Sequence, residues 1–347
     1  MNPMTLTLLI LSMALGTIIT MSSSHWLLAW AGLEMNTLAI IPIISKHHHP
    51  RATEAATKYF FIQATASALI LFASTTNAWQ TGQWNISQIF LPETSIMITL
   101  AIAMKLGLAP FHFWLPEVLQ GSTLTVAMLI STWQKLAPTA LLFMTINNLN
   151  QSVLLFLGLF STLLGGWMGL NQTQTRKIMA FSSIAHMGWM FTALSLSPNL
   201  PLMVLATYLI LTSAMFMALT MTSSKTLHDL GTNWSLSPTL LTITMLSLMS
   251  LGGLPPLTGF LPKWLVLKEL VSMNLLTLSI LLALSTLPSL FFYLRMSHMT
   301  TLTLPPNTTN SEYKWRFKTP HHQLTAPTII LATMALPISP LISNFSL

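Results

Sequence analysis

Apolar residues fill the chain in runs of about twenty, each closed by a short polar stretch, and the alternation recurs from end to end. It predicts eleven membrane-spanning helices, near 3–21, 25–45, 57–76, 96–116, 123–146, 152–170, 177–197, 200–222, 238–268, 272–294 and 325–345. The connections are short except for 77–95, 223–237 and 296–324. The first run, MNPMTLTLLILSMALGTIITM, lacks the basic n-region and small-residue cleavage site of a secretory signal and reads as a retained helix. The expected fold is an all-α polytopic membrane protein, one integral membrane domain over 1–347. Within it we expect a first five-helix repeat over 1–146, a second over 152–294, a loop over 295–324 and a last helix at 325–345.

Composition agrees. The 347 residues are 52% hydrophobic and 6% Asp, Glu, Lys or Arg, against about 25% charged in soluble domains. The net charge of +7 has a sidedness that explains it without nucleic acid. With the N-terminus inside, the inner loops hold Lys46, Arg51, Lys58, Arg176, Lys177, Lys225, Arg295, Lys314, Arg316 and Lys318, ten of the fourteen basic residues. The outer loops SSSH, NAWQTGQWNISQIFLPE, NNLNQ and SPNLP hold none, and the C-terminus falls outside. There is no cysteine, hence no disulfide, iron–sulfur cluster or thiolate metal site. No Gly-x-Gly and no P-loop pattern occurs, so a nucleotide or redox centre belongs to another chain.

Four charges lie inside predicted spans: Glu34, Lys105, Lys135 and Lys263. Each costs about 2.5–3.5 kcal/mol at bilayer depth on insertion scales. Lys268 lies beside Glu269 at a span end and can snorkel to the surface. A structural ion pair accounts for Glu34 and one lysine, leaving two lysines without a carboxylate. Intramembrane ionisable groups otherwise mark proton or ion pathways, and a buried lysine near a carboxylate can load and release a proton. His112 and His186 are further relay candidates; for each, a hydrogen-bonded structural histidine is the competing reading. His47, His48 and His49 are adjacent on a loop, which suits a solvated inner loop better than a metal site. The Asn-x-Ser/Thr matches carry no weight.

Spans four and nine are broken by related motifs. Residues 107–117 read GLAPFHFWLPE and residues 253–263 read GLPPLTGFLPK. At an offset of 146, Gly107, Leu108, Pro110, Trp114, Leu115 and Pro116 meet Gly253, Leu254, Pro256, Phe260, Leu261 and Pro262. YFFIQATAS from Tyr59 and YLILTSAMF from Tyr208 make a weaker echo at an offset of 149. The broken spans are five apart and so cross in opposite directions. Inverted repeats with discontinuous helices mark ion sites in transporters. The competing reading is an ordinary proline kink.

With AGLEM around Glu34, AMKLGLAPFHFWLPEV around Lys105, STWQKLAP around Lys135, GGLPPLTGFLPKW around Lys263, and QTRKIMAFSSIAHMGWM, the chain resembles the antiporter-like subunits of respiratory complex I, over its full length. Their relatives serve multisubunit Na⁺/H⁺ antiporters. The resemblance is to the mitochondrial members and implies the mitochondrial inner membrane, with the matrix inside. It implies that Glu34 and Lys105 are a coupled pair, Lys135 the central relay lysine and Lys263 the lysine near the exit, with His112 and His186 as further relay groups. NADH, FMN, iron–sulfur clusters and ubiquinone then belong to other subunits, and structural lipids are the one bound class left open for this chain. Implied partners are the bilayer, other membrane-arm subunits including neighbouring antiporter-like ones, and a subunit capping an N-terminal face where many bacterial members carry three further spans. The alternatives are a sodium/proton antiporter, for which Glu34 is the one deep hard-oxygen ligand, and a non-conducting spacer.

Overall fold

The computed structural model describes residues 2–46, 49–88, 91–233, 238–301 and 325–338. Regular structure among them is helical, apart from two isolated β-bridges. The helices are α1 (Pro3–Ser22), α2 (Trp26–Ile44), α3 (Pro50–Thr81), α4 (Pro92–Leu106), α5 (Trp114–Gly121), α6 (Leu124–Ser131), α7 (Trp133–Thr145), α8 (Gln151–Gly169), α9 (Thr175–Leu194), α10 (Leu200–Thr222), α11 (Leu227–Thr232), α12 (Pro238–Gly252), α13 (Phe260–Ser272), α14 (Leu276–Thr301) and α15 (Thr325–Met334). Among the described residues, seven stretches are long and apolar enough to cross a membrane: α1, α2, α3, Leu124–Asn148, α8, α10 and α14. This is a multi-pass helical membrane protein. Every expected span contains helix, but the run at 325–345 is described only to residue 338.

Three differences from the hydropathy reading have local causes. α3 begins seven residues before the expected span, because Pro50 suits a first turn and His49 Nδ1 accepts the Arg51 amide as N-cap. It runs on to Thr81, where Gly82 closes it in the left-handed conformation at φ 75°. The fifth span is divided at Thr132, whose φ and ψ of −110° and −72° separate α6 from α7 just before Lys135. The 223–237 connection contains α11, capped by Thr226 and Asp229 in a reciprocal capping box. His47 and His48 lie outside the described residues, as do Lys314, Arg316 and Lys318.

The chain forms two compact units, Met1–Phe160 and Ser161–Leu347, divided within α8. In the first, α1 packs along α2, α3 packs on α2, α4 and α5, and α7 lies against α1, α2 and α4. A methyl group added at Gly16 would sit 2.9 Å from the Gly32 carbonyl oxygen, so small residues set the approach of α1 to α2. In the second, α10 packs on α9, α12, α13 and α15, while α14 packs on α12, α13 and α9. The extended residue before the second helix of each unit bridges a later loop: His25 with Asn85, and Gln174 with Thr226.

Large apolar side chains cover much of the outer surface, and many polar side chains lie inside beside an apolar core. Leu8, Leu11, Leu15, Phe61, Phe72, Leu281 and Leu284 point outward, whereas Thr17, Thr20, Asn36, Gln63, Ser67, Asn77, Thr99, Ser182, Thr244 and Ser285 are buried. Lipid accepts the first set, and the second bonds within the bundle, save Asn77 Oδ1, which has no partner. Most buried Ser and Thr hydroxyls donate one turn back to a helix carbonyl, as Thr99 does to Ile96 and Ser182 to Met179.

Candidate functional site

Both broken helices end in the same backbone device. In the first unit the Leu108 amide donates to Ala103 O at 3.0 Å and the Gly107 amide to Met104 O at 3.2 Å. In the second, Leu254 donates to Met249 O at 3.3 Å and Gly253 to Ser250 O at 3.0 Å. The glycines have φ of 75° and 80°, the left-handed conformation this Schellman ending requires. The following Ala109–Pro110 and Pro255–Pro256 bonds are both cis. The chain stays non-helical until Trp114 and Phe260 begin α5 and α13. The two motifs are therefore true interruptions rather than kinks.

Lys105 occupies the last turn of α4, 5% exposed, and its Nζ has no hydrogen-bond partner. Gln63 on α3 donates to the Lys105 carbonyl at 3.3 Å, and Trp114 Nε1 donates to Met104 O at 3.2 Å, so the opened end of α4 is held by side chains. Lys135, 2% exposed, sits in the first turn of α7. Lys105 and Lys135 line one cavity with Asn36, Tyr59, Gln63 and Gln134, large enough for about one water. Around it Tyr59 Oη donates to Gln134 Oε1 at 3.3 Å, and Gln134 Nε2 donates to Asn36 Oδ1 at 3.0 Å. Glu34 lies on α2 between the cavity residues Leu33 and Asn36, and its Oε2 is buried without a partner.

The ion pair that the sequence allows between Glu34 and a lysine is not formed. The ion pairs among the described residues join Lys58 to Glu54 and to Glu117, each at 2.6 Å. These sit at the exposed start of α3. Glu117 is the sequence counterpart of Lys263, so the second copy has a lysine where the first has a carboxylate tied to α3.

In the second unit Lys263, in the first turn of α13, folds back across the break, and its Nζ donates to Gly252 O at 2.8 Å. Its side chain covers Gly253 so closely that an added methyl would lie 2.9 Å from Nζ. Lys263 shares a cavity with His186 on α9, lined also by Trp189, Thr207 and Leu211 and again large enough for about one water. The His186 ring lies 5.7 Å from that of Tyr208. His112 lies inside the first break, 1% exposed, its ring 4.3 Å from Phe113; it lines neither cavity. Lys268 reaches toward the Trp264 ring, 6.0 Å from its centroid.

The structure thus groups Lys105 with Lys135 beside Glu34, and Lys263 with His186, and leaves His112 apart. The charged residues did not announce Asn36, Tyr59, Gln63 and Gln134. The signal available for them was an uncharged polar residue in mid-span, as in YFFIQATAS and STWQKLAP. Among the described residues no group of three or more His, Asp or Glu could hold a metal ion.

Residues 23–288 match the family model described as NADH:quinone oxidoreductase/Mrp antiporter, TM, and residues 290–343 match NADH dehydrogenase subunit 2 C-terminus. Proteins named NADH-ubiquinone oxidoreductase chain 2 from Carassius auratus and Xenopus laevis are 54% and 55% identical to this chain. The first alignment covers 99% of both chains, and the second covers 98% of this chain and 99% of the relative. A chain of respiratory complex I from Thermus thermophilus superposes with a TM-score of 0.83 at 26% identity, covering 97% of this chain and 80% of that one. A chain of the Mrp complex from Dietzia shares the fold, with a TM-score of 0.81 at 17% identity, covering 97% of this chain and 76% of that one. With its opened helices and buried lysines, the chain belongs to the NADH:quinone oxidoreductase/Mrp antiporter family of membrane subunits, alongside the relatives named NADH-ubiquinone oxidoreductase chain 2.

Proposed function

We propose that the chain is a proton-translocating, antiporter-like subunit of the membrane arm of respiratory complex I. It couples NADH:ubiquinone oxidoreduction, performed in other subunits, to proton movement. The observation that carries this reading is the cavity joining Lys105 to Lys135 beside a Glu34 carboxylate that forms no ion pair. Charges held for structure alone pair with one another. Here an ammonium and a carboxylate lie buried with unfilled hydrogen-bonding capacity, next to space for water. Amides do not pass protons on readily, so Gln134, Asn36 and Gln63 fix the geometry while water and the ionisable groups carry the proton. Lys105, tuned by Glu34, and Lys135 act in the first unit. His186 and Lys263 act in the second, in later steps of the same cycle, and His112 serves as a side group of the first break.

We read the chain as eleven spans, two inverted five-helix repeats and a last helix. Support comes from the matched Schellman endings at an offset of 146 and from the paired bridges at His25 and Gln174. The site is the mitochondrial inner membrane, with the N-terminus in the matrix and the C-terminus in the intermembrane space. Neighbouring membrane-arm subunits, one covering the N-terminal face, are the partners, and the chain binds no redox cofactor of its own.

The test is Lys135→Ala in the complete complex. We expect normal assembly and a lower number of protons moved per NADH oxidised. An unchanged proton stoichiometry in the assembled variant refutes the relay.

A further inference from the structure

We infer that the second unit holds the end of a membrane lipid's acyl chain, in a pocket between α10, the second break with α13, and α15. A cavity of about 60 Å³ lies there, its walls including Met203, Ala206 and Ile210 of α10, Leu261 of α13 and Leu331 of α15. Of the lining side chains, only those of Thr207 and Thr258 are polar. By volume the cavity would take roughly four waters. By chemistry it does not keep them. The Thr207 hydroxyl donates to Met203 O and Val204 O, each at 3.0 Å, and the Thr258 hydroxyl donates to Ala332 O. Both protons are spent, and two hydroxyl oxygens do not supply the roughly two to four polar partners that each buried water needs. Cavities with apolar walls stay dry and take up small apolar molecules instead.

The occupant is set by where the cavity opens and how deep it lies. Ala206 is exposed and Leu331 is 43% exposed, so the mouth faces outward between α10 and α15. Leu202 and Ile330 beside it are exposed apolar side chains, which puts lipid against the opening. Ala206 to Leu211 lie about 9–17 Å along α10 from its first residue, inside a hydrocarbon layer about 30 Å thick. Headgroups do not reach that depth, and chain ends do. The cavity is less than half the roughly 150 Å³ of an engineered cavity that admits benzene, so a narrow chain suits it better than a ring. Thr207 and Leu211 also line the Lys263–His186 cavity, so they stand between it and the acyl chain. Thr258 belongs to the second break, and its bond to Ala332 ties the break to α15. The chain end therefore packs against the break and closes its lipid side. The inference rests on the membrane-spanning fold and not on proton translocation.

The test is a high-resolution map of the complete complex in vesicles of phosphatidylcholine with bromine on the last carbons of one acyl chain. We expect bromine density between Ala206 and Leu331. Bromine placed beside the headgroup should give none there. An empty cavity, ordered water, residues 339–347 of this chain or another subunit's side chain in it overturns the inference, whether or not the chain pumps. Ala206→Phe fills the mouth from α10. We expect the variant complex to assemble and to lose the bromine density, and unchanged density overturns the assignment of the site. If the variant does not assemble, the map of the native complex decides.

Discussion

Gln134 ties three helices together with one amide. From α7 it accepts from Tyr59 on α3 and donates to Asn36 on α2. Gln134→Leu removes both contacts and strands Tyr59 Oη and Asn36 Oδ1 in the bundle. The expected loss is about 1–3 kcal/mol for each stranded group, read as an earlier unfolding transition of the purified complex. Gly253 is a second sensitive residue. Gly253→Ala meets both a left-handed backbone and the Lys263 side chain, with Nζ 2.9 Å from the new methyl. We expect a cost of about 1 kcal/mol from the backbone alone, and weaker pumping because Lys263 must leave Gly252 O. Gly107→Ala provides the control, since its methyl would meet the Trp114 ring instead, at 3.3 Å. At this scale the sequence was informative where a residue is costly in lipid. Glu34 and the three lysines stood out by charge. Tyr59, Gln63 and Asn36 did not, because a neutral polar residue is common in a membrane helix and its partners lie up to 98 positions away, as Gln134 does from Asn36.

For whole elements, hydropathy located the lipid-facing runs and missed what lies beyond the hydrocarbon. α3 shows the limit: its first two turns, PRATEAAT, are too polar for a span, yet they are helical and carry the Glu54–Lys58 contact. The division of the fifth span at Thr132 left no mark, since no glycine or proline sits there. The breaks at 107–113 and 253–259 were legible because they need glycine and proline. α11 was hidden in a long connection, although Thr226 and Asp229 are a capping-box pair at the proper spacing. Burial alone would raise the Asp229 carboxyl, but the Thr226 and Lys225 amides, with the Thr226 hydroxyl, hold it below the usual range. Its contribution is therefore full above the ordinary carboxylate pKa and lost as pH falls through the depressed value. We expect the amides of 225–233 to lose hydrogen-exchange protection at acid pH, and Asp229→Asn to remove most of that pH dependence.

In the whole molecule, the outward Leu and Phe and inward Ser, Thr, Asn and Gln make the membrane reading independent of hydropathy counts. The proposed two-part organisation rests on the repeated motif, with the matching helix endings in its support. Pairing at the site was not visible, because which lysine shares a cavity with which group depends on packing between helices distant in the chain.

The opened end of α12 bears on a charge imbalance. Three deep lysines face a single deep glutamate, so carboxylates alone do not balance them. A helix's C-terminal end carries roughly half a negative charge in its free carbonyls. The second break brings such an end to Lys263. Lys263, though it follows its break, returns its ammonium to the last carbonyl of α12. Lys263 thus meets a fixed partial counter-charge made of backbone, which no proton can neutralise as it would a carboxylate. A field of that kind stays constant while protons pass, and it lets the chain keep that cation in lipid with few acids.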